Sequence, residues 1–165
     1  MAHNYLEQLV AEWYEYQGYF VRRNILVGKR DKGGHECELD VVAFNPETQH
    51  LVHVEPSMDA NTWAVREARY AKKFEAGRKY IPTLFKGLAP TSKIEQIALL
   101  GFASNKNVST VGGSRVMLIP ELLTEIFDRL KSTSIARCAV SEQFGLIRTL
   151  QLVSDNRKLL SGMFQ

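Results

Sequence analysis

Cysteine is scarce in this 165-residue chain, and its two copies, Cys37 and Cys138, form no C-x-x-C pair. A disulfide framework or a cysteine-ligated structural zinc therefore has no basis here. Long apolar runs are also missing: none approaches the roughly 20 residues that span a bilayer. The opening MAHNYLEQLVAEWYEYQGYF alternates polar and apolar residues where a signal segment would carry an apolar stretch. A soluble, cytoplasmic protein without membrane contact is expected. The sequence VGGS, residues 111–114, has neither GxGxxG nor Walker spacing, so no nucleotide loop is assigned. Internal repeats and low-complexity tracts are absent as well.

What is present is one domain's length of chain with an uneven charge distribution. The whole sequence, 1–165, reads as a single domain with its core over about 4–132 and a helical tail over about 137–162. Net charge is +3, yet residues 1–60 hold five Lys/Arg against ten Asp/Glu. Between Arg66 and Lys93 the balance turns to eight Lys/Arg against two Asp/Glu. An acidic part beside a basic one suits a cation site next to a polyanion, and solvated helix faces produce the same blocks.

Leu6, Leu9, Val10, Trp13 and Gln17 recur at helical spacing, and Gly18 supplies a stop. YFVRRNILV, HECELDVVAF and HLVHVE read as three strands, the last two joined by the turn NPETQ. NTWAVREARYAKKFEAGRKY predicts a long helix with Asn61 or Thr62 as its N-cap. KIEQIALLGFA and RVMLIP predict two buried strands joined by SNKNVSTVGGS. ELLTEIFDRLK predicts a helix opened by Pro120, followed by a helical tail. The class is α/β, in the order α-β-β-β-α-β-β plus C-terminal helices.

Strand alternation puts Glu36, Glu38 and Asp40 on one face of their strand, and Leu51, His53 and Glu55 on one face of the next. If the two strands pair through the short turn, Asp40 and Glu55 converge. Carboxylates held that close are relieved by a divalent cation or a shared proton, although a wet sheet face with ordinary acids has the same pattern. His53, on the Glu55 face, suits either a metal ligand or a general base, and equally a packed sheet histidine.

A helix bearing Glu7, then Asp40 on one strand, Glu55 ending another and a basic helix after it resembles the PD-(D/E)XK nuclease superfamily. The stretch YLEQLVAEWYEYQGYFV is similar to the first helix of archaeal Holliday-junction resolvases. That resemblance implies a restriction endonuclease-like core, a central mixed sheet flanked by helices, over about residues 4–120. It implies a Mg²⁺- or Mn²⁺-dependent endonuclease acting on DNA, ahead of RNA, with a homodimer as one arrangement. Asp40 and Glu55 would hold the metal with the Pro56 carbonyl, and Glu7 would assist. The family's lysine position falls on Ser57, whose hydroxyl brings no positive charge. Pro56 is expected to stop the strand at the site.

A helical plot of residues 63–80 puts Trp63, Ala64, Ala68, Tyr70, Ala71 and Phe74 toward the sheet. Arg66, Arg69 and Lys73 then form an outward stripe suited to phosphates, and Lys72 on the flank becomes the candidate for a displaced catalytic lysine. The competing expectation is a nuclease fold without catalysis that binds nucleic acid or a protein, supported by Ser57.

Overall fold

The computed structural model describes residues 4–85, 93–102 and 108–163. Where the sequence predicts one domain with its core over 4–132, contacts group the chain into two compact units, residues 1–119 and 120–165.

The first unit is an α/β arrangement on an open, mixed six-strand sheet. Asn4 caps helix α1 (Tyr5–Tyr16) by accepting from the Leu6 N–H at 3.1 Å, and the Leu6, Leu9, Val10 and Trp13 face is buried. Strands β1 (Phe20–Lys29), β2 (His35–Asn45) and β3 (His50–Ser57) form an antiparallel meander. The β2–β3 turn closes through Asn45, whose Oδ1 accepts from the Glu47 and Thr48 N–H groups at 2.9 and 3.1 Å. Helix α2 (Trp63–Leu84) carries the chain from β3 to the parallel strand β4 (Glu95–Leu100). The short β5 (Thr110–Val111) and β6 (Ser114–Leu118) form a hairpin, giving the order β1-β2-β3-β4-β6-β5.

Two details depart from expectation. The connection before RVMLIP contributes β5 at an edge, and residues 103–107 of that connection lie outside the described residues. Pro56 does not end its strand: it is paired opposite Leu99, and β3 runs on to Ser57. The ladder bond from the Gly101 N–H to the Ser57 carbonyl turns Ser57 toward β4. Neighbouring residues alternate direction, so Pro56 faces β2, whose ladder with β3 has already ended at Val41↔Val54. The missing N–H of proline therefore falls beyond the end of that ladder.

The second unit holds α3 from Pro120 onward (α3 as a whole is Ile119–Leu130), α4 (Gly145–Asp155) and the short α5 (Arg157–Leu160). Gln151, fully buried, ties its loop together by accepting from the Val140 N–H and donating to the Cys138 carbonyl, both at 2.9 Å.

Candidate active site

Asp40 lies near the middle of β2 and Glu55 near the end of β3, and the meander brings them together. The strand pairing passes from Arg23↔Val41 to Ile25↔Leu39, and between these Asn24 of β1 takes a left-handed φ of 52°. Beside this irregularity the Asp40 N–H donates to Glu55 Oε1 at 3.1 Å.

The cation is Lys73. Its Nζ stands 2.5 Å from Asp40 Oδ1 and 2.5 Å from Glu55 Oε2, so the two carboxylates lie within twice that distance of each other. The contact with Asp40 is a directed hydrogen bond. The approach to Glu55 Oε2 is an ion pair of the same length, so one ammonium serves both carboxylates.

Two acids share one lysine, and their ionisation shows it. Burial, then the neighbouring Glu55, pushes the Asp40 carboxyl up to about 7 against the pull of Lys73. Burial likewise raises Glu55, opposed by Lys73. Burial would lower the Lys73 ammonium, but Glu55 and Asp40 outweigh it and hold the proton on. Glu7 on α1 is raised first by burial and next by the charge of Asp40, which brings it within electrostatic reach of the pair. Its own hydrogen bond, at 2.7 Å, comes from Asn4 Nδ2.

Behind Glu55 runs a buried polar chain. Gln96 Oε1 accepts from Arg78 at 2.8 Å, and its Nε2 donates to the Phe74 carbonyl at 2.9 Å. That orients the amide, whose remaining N–H meets His53 Nδ1 at 3.1 Å. Nδ1 must accept, so the proton sits on Nε2 and is donated to Glu55 Oε1 at 2.7 Å. Burial, then the nearby Lys73, lowers the imidazole to about 3 and keeps it neutral. Gly77 of α2 makes this approach feasible: a Cβ there would stand 2.5 Å from His53 Nδ1 and 2.8 Å from Gln96 Nε2.

The expected outward basic stripe does not exist as drawn. Arg66 is buried, stacked over Trp63 at 5.1 Å, and its NH2 donates to the Asp59 carbonyl at 2.6 Å. Arg69 is half-exposed and pairs with Asp59 Oδ2 at 2.6 Å. The hydroxyl of Ser57 closes on the same carboxylate, as does the Asn61 N–H at 3.0 Å. Burial would raise Asp59, but Ser57, Asn61 and Arg69 together depress it far below the ordinary range. Lys72, expected as the displaced lysine, is instead exposed above Glu36 and Glu75 and away from the carboxylate pair.

The physical reason is the phase of α2. Arg66, Tyr70, Lys73, Phe74, Gly77 and Ile81 recur at steps of three and four and make the inward stripe, whereas Ala64 and Ala68 are exposed. Alanines carry too little apolar surface to fix a face. Sequence reasoning also missed Gln96 and Asp59. For Lys73 a signal existed, because it lies three residues from Tyr70 and one helical turn from Gly77.

Mg²⁺ is commonly held through one or two carboxylates while keeping several waters, and Asp40 and Glu55 are the two carboxylates here, each 2.5 Å from the Lys73 ammonium. Among the described residues no three His, Cys, Asp or Glu side chains converge on one point, so an all-protein cage is not built.

No family model, curated protein or solved structure matches this chain. Its site therefore rests on its own geometry.

Proposed function

We propose that this chain is a metal-dependent nuclease-like hydrolase of DNA phosphodiesters, on a restriction endonuclease-like core, in which Lys73 takes the part of the lysine missing at Ser57. The observation that carries this is the position of Lys73 Nζ, 2.5 Å from both Asp40 and Glu55. An acid, an acid and a lysine meet in space although the lysine comes from a different element than the family's motif.

Asp40 and Glu55 would hold Mg²⁺ or Mn²⁺, with the Pro56 carbonyl beside them and Glu7 near enough to influence the pair's charge. The chemistry supplied by such an ion is polarisation of a phosphoryl oxygen and acidification of water. His53 donates Nε2–H to Glu55 Oε1, which orients the carboxylate with Oε2 toward Lys73. Lys73 stays protonated. Were the carboxylates to hold a divalent ion, the Lys73 ammonium would be released to donate to the non-bridging oxygens, where negative charge grows in the transition state. Ser57 takes no part, since its hydroxyl is committed to Asp59.

A nicking assay on supercoiled and branched DNA with Mg²⁺ or Mn²⁺ tests the proposal. Cleavage should be abolished in Lys73→Ala and kept in Lys72→Ala and Ser57→Ala. A parent protein that cleaves nothing across metals and substrates would favour a nuclease fold used for binding alone. The serine at the position where the family carries its lysine is the observation on that side.

A further inference from the structure

A cleft of about 600 Å³ opens between the C-terminal half of α2 and the starts of β4 and β6. Arg78 and Pro82 line it from the helix, Lys93 and Glu95 from the approach to β4, and Gly113 and Arg115 from the β5–β6 hairpin. It shares none of its lining with Asp40, Glu55 or Lys73.

Three cations face one acid there. Glu95 is already engaged, its Oε2 with His50 Nε2 at 2.9 Å and its Oε1 with Arg115 at 3.4 Å. Lys93 is exposed and has no ion pair among the described residues. The excess is therefore positive, although the negative end of α2 also reaches the cleft at Pro82.

The cleft is also pre-set. Arg78 is anchored through NH1 to the buried Gln96, whose amide is fixed by Phe74 and His53, so one arginine is held in place before any ligand arrives. Of its five N–H donors, one is used in that anchor. The hairpin wall is held too: Gly112 donates to Glu67 Oε2 at 2.9 Å, and a Cβ on Gly112 would stand 2.5 Å from the Ala71 nitrogen. Gly113 next to it takes φ 74° and would find nothing within 4 Å of a Cβ, which leaves room over the cleft.

We infer that this cleft is a second binding site, separate from the carboxylate pair, which takes a phosphate or diphosphate group on Arg78, Lys93 and Arg115. Guanidinium groups suit such an anion because they meet two oxygens at once. Through Gln96 the site adjoins His53, so its occupation is felt at the side-chain amide of Gln96.

The test is an NMR titration of the full chain with inorganic pyrophosphate, and separately with a short single-stranded oligonucleotide. Pyrophosphate should shift the backbone amides of Ser114 and Arg115 and the Gln96 side-chain amide. The double variant Lys93→Ala/Arg115→Ala should weaken that binding by about tenfold or more. Both side chains are exposed, so the fold should survive, and Arg22→Ala on β1 serves as the charge control. If the oligonucleotide moves the same amides, and the double variant lowers its salt slope by about 1.4, the phosphates are those of a nucleic-acid strand. If pyrophosphate alone moves them, the source is a small phosphorylated molecule. Shifts confined to other residues, no shift with either probe, or equal loss in Arg22→Ala would overturn the site. None of these readouts depends on cleavage.

Discussion

Glu55 and Asp59 stand four residues apart on either side of the β3 end, and α2 answers them in opposite ways. At Asp40 and Glu55 a half-buried and a buried acid share one lysine, and the carboxyl of Asp40 is pushed up to about 7. At Asp59 one acid is shared by a serine, a backbone N–H and two arginines, and its carboxyl is depressed. The first cluster is short of positive charge and the second is saturated with it. A structural brace is expected to look like the second. The first has two acids for one lysine, and Asp40, through its burial and then the neighbouring Glu55, keeps its proton up to about 7.

The two clusters therefore have opposite linkage to pH. The folded Asp40 keeps its proton between about 3.8 and about 7, where the unfolded chain has lost it, so this group's contribution to stability falls as pH rises through that window. His53, lowered to about 3, acts the other way between there and 6.5. The depressed Asp59 adds stability that is present above 3.8 and lost as pH falls toward its lowered value.

The largest effect expected on this contrast comes from Lys73→Ala. Cleavage should drop by about a thousandfold or more, since a cation aimed at developing charge is lost, while Arg69→Ala should lower it far less. Single-turnover nicking rates check both, and comparable losses would erase the distinction between the clusters. Next in size is the pH dependence of Mn²⁺ binding, because the ion competes with the proton on Asp40. Affinity should climb up to about tenfold per pH unit below about 7 and level off above it. Calorimetry over that range reads it, and an affinity that does not vary with pH would mean the metal does not meet Asp40.

Stability separates the clusters on a smaller scale. Asp40→Asn keeps a polar partner for Lys73 and removes one of two crowded charges, so at pH 8 it should stabilise the fold by about 1–2 kcal/mol while abolishing Mn²⁺ binding. Asp59→Asn should do the reverse, destabilising by about 1 kcal/mol after allowance for solvent at the loop and leaving Mn²⁺ binding unchanged. Urea denaturation compares the two, and the same sign of change in both variants would remove the contrast. Smallest of all is Ser57→Ala, which should cost about 0.5 kcal/mol and leave cleavage intact, because Arg69 still holds Asp59.

The order of elements was legible because each had its own periodicity: alternation in β1 to β3, three-and-four steps in α1, a proline beside the start of α3. Asp40 and Glu55 were legible because a short turn forces two strands into register. Lys73 was missed by one residue, and the reason is physical. The buried face of α2 is defined by Tyr70, Phe74 and Ile81, but it also carries Arg66 and Lys73, which apolar patterning assigns outward. Polar side chains with partners on another element are invisible to a hydropathy plot. The same blindness hid Gln96, a strand residue whose importance lies in contacts with α2 and with His53, 43 positions away. The left-handed residue beside Asp40 is an asparagine, a type that tolerates this conformation, but a lone Asn within a strand pattern does not by itself locate it.

Gly77 gives the helix its clearance. Because nothing projects from that position, the axis of α2 can settle against the imidazole and the glutamine amide, and the side chain one turn earlier is then just long enough to span the gap. A single methyl would act as a wedge under the helix, lifting it where His53 presses closest and drawing the ammonium away from both acids. The reach of one lysine is thus set by a carbon atom that is not there, and the site's tolerance to change is a matter of fractions of an ångström at a residue with no chemistry of its own.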